Sequence, residues 1–518
     1  MNHYISGIIK SLILEAQMAF LLFDRVLLDR FVVERKWVLR VLTALMVLAW
    51  CNFVGLRGNF GLVHEWEQFH FYLGAKYQKE LGWFDLYKAA VLADRETIHV
   101  ITSPTIRDIH NFELVPIDTA LTDGPRVRSR FSDARWEEFK RDWVAMVNNR
   151  PIDFNRVVQD HGNSNSPAWA VIAHPIAELL PLTRGTQTFI GLLDFILMGV
   201  MFFFVFKTFG ERTGCIALLM WATPGIVFDY LAGSFLRWDW LFALGMSVVM
   251  MKREKWALAG GFFAYAVATK LFPICFGVAL LFKALVSWQK DKKLEKRYVR
   301  FGLGAAGTGA AIGVLAALMF GGFWCWTEYK ERIDVARYEK FYAIQYSLQT
   351  VYLQFAASTP SEAIEGWFAP NEIKQARADV DLKDYQGGFF IFKLLFSFLV
   401  LLMVLRSDDI GAFTLGPLLV FTWLTVNMYY WNMFGLLALG LSRREERPPF
   451  VALVTLHIPF IVFYIYQHLN RGMSEGYIVA FFLCVWMLNF AWMEWRESKG
   501  LVRELLGIKG GAPAPAKR

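Results

Sequence analysis

The chain has 518 residues, of which 56% are hydrophobic and only 19% charged, with 47 Phe and 20 Trp. That is too apolar and too aromatic for an ordinary soluble domain, and runs long enough to cross a hydrocarbon core recur along its whole length. The net charge of +8 is gathered in short loops, which fits orientation by the positive-inside rule and argues against nucleic-acid binding.

These features predict an all-α polytopic membrane protein with about twelve transmembrane helices and a large extracytoplasmic loop domain after the first. Residues 1–35 read as an amphipathic helix on the cytoplasmic surface, because Lys10 and Glu15 interrupt the apolar stretch and Arg25, Asp29, Arg30 and Arg35 follow it. A true span there is the alternative. Residues 36–56 form the first transmembrane helix, running from inside to outside. Residues 57–187 are too polar for the membrane, and the helical-looking run Arg135–Trp143 suggests a folded cap.

Residues 188–325 hold further spans, among which the stretch 256–286 is long for one helix and short for two. Lys252, Arg253 and Lys255 precede it; Lys290, Lys292, Lys293, Lys296 and Arg297 follow. Both flanks therefore belong in the cytoplasm, so the chain must turn back, and Pro273 supplies the break. Lys270 then lies at the apex of a broken hairpin, and an intramembrane lysine is costly enough to mark a site. Residues 326–388 form a second outside loop, residues 389–496 the C-terminal helices, and residues 497–518 a cytoplasmic tail. None of the five cysteines has metal-site spacing, there is no Walker or Rossmann glycine run, and no metal or cofactor is expected.

The candidate chemistry collects on one side. Glu65, Glu67 and His70 follow the first span; Arg237 and Asp239 open a later one; Gln345 lies in the second outside loop, and Asn427 and Tyr430 between two late spans. A carboxylate at a membrane surface can take the proton of an acceptor hydroxyl while Arg or Lys neutralises a lipid phosphate left behind. Plainer readings stand beside this one. Glu65 and Glu67 could be solvated, Arg237 and Asp239 a structural ion pair, Lys270 a snorkelling lysine, and His70 an interfacial packing residue.

Five stretches carry a family resemblance: Glu67-Gln68-Phe69-His70-Phe71-Tyr72-Leu73-Gly74-Ala75-Lys76-Tyr77, Gly82-Trp83-Phe84-Asp85-Leu86-Tyr87, Leu236-Arg237-Trp238-Asp239, Ala268-Thr269-Lys270-Leu271-Phe272-Pro273 and Tyr429-Tyr430-Trp431. In their order the chain resembles the GT-C superfamily of polyprenyl-phosphate-sugar-dependent glycosyltransferases, above all the bacterial polyprenol-phosphate-mannose-dependent mannosyltransferases of glycosyltransferase family 87. The resemblance implies an inverting transferase in the bacterial inner membrane with its site facing the periplasm. It would move mannose or another hexose from a polyprenyl-phosphate carrier to a glycolipid, glycan or protein acceptor. The family places an aspartate before its Tyr-x-x-Ala segment, whereas the nearest acid here is Glu67, with Glu65 behind it, so the base lies between these two. His70 would assist, Arg237 and Lys270 would hold the donor phosphate, and Asp239, Gln345, Asn427 and Tyr430 would line the site. A secondary transporter or lipid-linked-sugar flippase is the rival reading; it would call for inverted repeats, and none is found.

Overall fold

The computed structural model describes residues 3–26, 35–51, 63–149, 152–162, 164–224, 233–337, 345–356, 386–470 and 475–505. The protein is mostly helical. Among the described residues, five helices are long and apolar enough to cross a membrane: Arg184–Phe209, Lys296–Met319, Gln386–Arg406, Arg447–Tyr466 and Tyr477–Ser498. Trp256–Thr269 and Asp409–Trp423 are shorter apolar helices.

Two hydrophobic cores organise these elements. The larger belongs to the helical bundle and is centred on residues such as Trp221, Trp238, Leu244, Phe413 and Phe434. The smaller gathers Phe69, Tyr72, Tyr87, Trp136, Phe139, Trp143 and Phe154 from the segment between residues 63 and 182. Helix Asp133–Asn149 supplies Trp136, Phe139, Trp143 and Met146 to it at helical spacing. That core also takes in Phe235, Leu236, Ala316 and Phe320, so the folded segment sits on one end of the bundle.

Close packing explains the glycine- and alanine-rich span. A Cβ on Gly260 would lie 1.9 Å from the Phe301 carbonyl oxygen, and one on Gly304 would lie 1.9 Å from that of Ala257. Helices Trp256–Thr269 and Lys296–Met319 thus touch backbone to backbone, as small residues permit between apolar helices. Trp256–Thr269 and Ile274–Asp291 meet at Lys270–Pro273. Their far ends return to one place: Trp256 packs on Tyr298, whose hydroxyl donates to Asp409 at 2.6 Å, and Lys283 Nζ donates to the Leu405 carbonyl at 3.4 Å.

Several boundaries differ from expectation. The stretch expected as a surface helix within residues 1–35 is instead a bundle helix, His3–Val26. Its polar residues turn inward, with Lys10 at 1% and Gln17 at 0% exposure, while Leu12 and Phe23 face outward at 58% and 50%. That is the reverse of a helix floating with its polar face to water. The Gln17 carboxamide oxygen is 2.7 Å from His457 Nε2, and Lys10 lies 5.6 Å from the Tyr464 ring. Tyr464 in turn donates to the Thr223 carbonyl. Thr223 follows the helix that opens at Glu211, the partner of Arg40. His3–Val26 therefore runs antiparallel to Arg35–Trp50, with its His3 end toward the folded segment.

Elsewhere the first span is helical over Arg35–Trp50, and its expected end at residue 56 lies outside the described residues. The span expected to open at Arg237 and Asp239 becomes helical only at Asp239. Across the stretch expected as a second outside loop, helices Trp324–Arg337 and Leu348–Ala356 flank a short strand, Gln345–Tyr346. The last helix continues to Leu505, so the expected tail begins as helix, and residues 506–518 lie outside the described residues.

Candidate functional site

The first acidic motif forms a one-turn helix, Glu65–Gln68, capped by His64, whose Nδ1 accepts the Glu67 N–H at 3.2 Å. It runs directly into a π turn, Phe69–Leu73, an irregularity that often marks functional positions. Gln68 fixes the motif in space. Its buried carboxamide nitrogen donates to the carbonyls of Gln187 and Gly233 at 2.8 Å each and of Ser234 at 3.2 Å. One side chain thereby ties the acidic turn to the top of the Arg184–Phe209 helix and to the segment leading into Arg237.

That segment is itself held under constraint. Leu236 has φ +48°, a left-handed conformation that costs a non-glycine residue about 1 kcal/mol or more. Its carbonyl accepts from Trp169 Nε1 at 3.0 Å, and the next-but-one N–H, of Trp238, donates to Asp194 at 3.0 Å. The outcome is that Arg237 points at the acidic turn. Its Nη1 is 2.6 Å from Glu67 Oε2, and its guanidinium lies over the Tyr429 ring at 4.5 Å and the Phe71 ring at 5.7 Å. Burial, the largest single influence, would raise the Glu67 pKa, but the charge and hydrogen bond of Arg237 together with the neighbouring His64 and His70 outweigh it and hold the carboxyl below its ordinary value.

Lys270 stands on the other side of the site. It ends the Trp256–Thr269 helix, and its Nζ donates to Asn165 Oδ1 at 3.1 Å. Among the described residues it forms no ion pair, although it senses the charges of Arg237, Asp239, Glu67 and Arg332. Phe272, two residues on, packs on Tyr430 at 5.0 Å, and Tyr430 packs on Tyr429 at 4.6 Å. The aromatic pair therefore bridges the Arg237 side to the hairpin apex.

The remaining expected residues sort differently. Asp239 does not pair with Arg237; it accepts from Tyr265 OH at 2.6 Å and from the Trp240 N–H at 2.6 Å. Asn427 donates to Tyr429 OH at 2.8 Å, and the backbones of Gln345 and Asn427 are directly opposed in a two-stranded antiparallel pair. His70, expected to assist, is engaged by both ring nitrogens within the folded segment. Its Nδ1 lies 2.9 Å from the Trp66 carbonyl, which can only accept, so Nδ1 carries the proton and Nε2 accepts from Tyr87 OH at 2.8 Å. With both nitrogens engaged, the ring offers none to a ligand. Glu65 is half-buried at the start of its helix, and Glu67 is the acid that faces a cation of the site. Among the described residues no group of three His, Cys, Asp or Glu side chains could hold a metal ion.

Three contributors escaped the sequence. Gln68 and Asp194 act on backbone groups of neighbouring segments, and Asn165 meets Lys270 across 105 positions. Only the glutamine sat inside a motif; the others carry no spacing signal. No protein-family model matches the chain, and no curated protein or solved structure matches it either.

Proposed function

We propose that the protein is a membrane glycosyltransferase that moves a sugar from a polyprenyl-phosphate carrier to an acceptor hydroxyl, with inversion. The observation that carries this reading is the arrangement at the seam between the folded segment and the bundle. A carboxylate–guanidinium pair and an ammonium with no acid partner among the described residues face one site under a layer of tyrosines. A lipid phosphate entering there meets two cations. On the leaving side these neutralise the charge that develops as the sugar–phosphate bond breaks.

Glu67 is the base in this scheme. Bound to Arg237 it is too weakly basic to serve, but a donor phosphate that takes over the guanidinium leaves the carboxylate half-buried and more basic. It then accepts the proton of the attacking hydroxyl as that oxygen bonds to the anomeric carbon. Donor binding and activation of the base become one event. Asp239, Gln345, Asn427 and Tyr430 would line the space around the sugar or the lipid tail. The reading places about twelve crossings in the bilayer, the site at the extracytoplasmic face of a bacterial inner membrane, and a glycolipid, glycan or protein as acceptor.

The test is to incubate purified protein in lipid nanodiscs with a panel of radiolabelled polyprenyl-phosphate sugars. Labelled acceptor formed by the wild type and not by Glu67→Gln supports the proposal; Glu67→Gln protein with full transfer overturns the base. A secondary transporter or flippase would instead move labelled carrier across the bilayer without forming a product.

A further inference from the structure

Lys270 presents an ammonium with three donors, and its hydrogen bond goes to one neutral amide oxygen, Asn165 Oδ1. Asn165 is 4% exposed and its position is fixed from two directions. Its carbonyl accepts from Trp83 Nε1 at 2.6 Å, and the Trp83 N–H donates to Glu328 Oε1 at 3.2 Å. Upstream, the Gly162 N–H donates to Tyr87 OH at 2.9 Å, and Arg332 donates to the His161 carbonyl. Asp160 accepts from Trp66 Nε1 at 2.6 Å, one residue before Glu67. Residues 160–162 and 164–165, a strap of the folded segment, are therefore tied to the acidic turn, to helix Trp324–Arg337 and to the hairpin apex.

Resting on the reading above, we propose that Asn165 is a positioning residue of the donor site: its amide aims the Lys270 ammonium and keeps it without an internal acid partner, so that an incoming phosphate gains the full charge. The type of residue matters. An aspartate of nearly the same shape would form an ion pair with Lys270 and compete with the phosphate; an alanine would release the ammonium to other rotamers. The strap thus gives the folded segment a direct part in donor recognition, through a residue that never needs to touch the sugar.

The experiment uses full-length protein in nanodiscs of neutral phosphatidylcholine, with undecaprenyl phosphate as the probe and undecaprenol as the control for the tail. Asn165→Asp should weaken binding of the phosphate by about tenfold or more, the scale of one ion pair lost to competition, and leave undecaprenol binding unchanged. Asn165→Gln should fall between Asn165→Asp and wild type. Equal phosphate affinity in Asn165→Asp and wild type, alongside a loss in Lys270→Ala, overturns the role of Asn165 while leaving the site standing. No loss in either Lys270→Ala or Arg237→Ala overturns the site itself. A parallel loss of phosphate and undecaprenol affinity in Asn165→Asp identifies a structural defect and counts against the inference.

Discussion

Arg237 lies beside Glu67 because a strained leucine and a buried carboxylate aim it there, and the cost of that aim shows what the pair contributes. Removing one member of a buried ion pair leaves the other charge uncompensated, so Arg237→Ala should lower stability by about 3 kcal/mol. Arg237→Lys should recover part of this but lose the planar guanidinium face over Tyr429. Thermal unfolding in detergent reads both, and a stable Arg237→Ala protein would mean the pair is idle. The pH dependence has a definite sign. The folded-state pKa of Glu67 is depressed, so its contribution is present above the ordinary carboxylate value and is lost as pH falls through the lower folded value. The stability gap between wild type and Glu67→Gln should therefore close on acidification; a gap that widens toward acid would contradict the pairing. At this scale the motifs were legible and their partners were not. Sequence brought Glu67, Arg237 and Lys270 forward. Whether Asp239 would meet Arg237 or Tyr265, and whether His70 would face a ligand or Tyr87, depends on which side of a helix end meets which neighbour.

Among the elements, the broken hairpin was readable because two independent signals, basic flanks and a proline, agreed on it. The first helix departs from expectation because charged residues in an apolar run signal a water-facing side, whereas Lys10 and the polar Gln17 have buried partners in the bundle. Composition registers that Lys10 and Glu15 interrupt an apolar run, but not that Lys10 turns toward a tyrosine ring. A double-mutant cycle tests the packing. Gln17→Ala and His457→Ala should each cost about 1–3 kcal/mol, and the pair should show coupling of about 1 kcal/mol. Zero coupling would fit a helix lying apart from the bundle. Gly304→Val is a sterner probe of another contact, because its side chain would enter the Ala257 backbone. It should destabilise by more than about 3 kcal/mol, beyond ordinary overpacking, since backbone cannot move aside as a rotamer can. Thermal unfolding of the purified variant, scored against Gly307→Val, where a Cβ meets nothing within 4 Å, isolates the steric effect.

For the molecule as a whole, the two cores meet where the candidate chemistry lies. This arrangement was half legible: a long polar insertion after a first apolar helix implied a cap, but not that the cap would reach Lys270 through Asn165. The number of spans is not legible from length alone, since apolar helices such as Trp256–Thr269 are short. Orientation can be measured directly. In reconstituted vesicles lacking native cysteines, cysteines placed at the exposed positions 141 and 290 should react with an impermeant maleimide from opposite sides of the bilayer. Labelling of both from one side would remove the membrane-spanning arrangement on which the proposed reaction depends.

The inward polarity of the His3–Val26 helix has a consequence for how the protein is made. Its glutamine finds a partner in His457, 440 residues further along, and a solitary helix carrying Lys10 and Gln17 would leave those groups unsatisfied in lipid. This helix cannot settle in place as it leaves the ribosome. It must wait at the membrane edge, or be shielded by an insertion factor, until the segment carrying His457 has been synthesised, so a helix made 440 residues ahead of its partner docks only after that long interval.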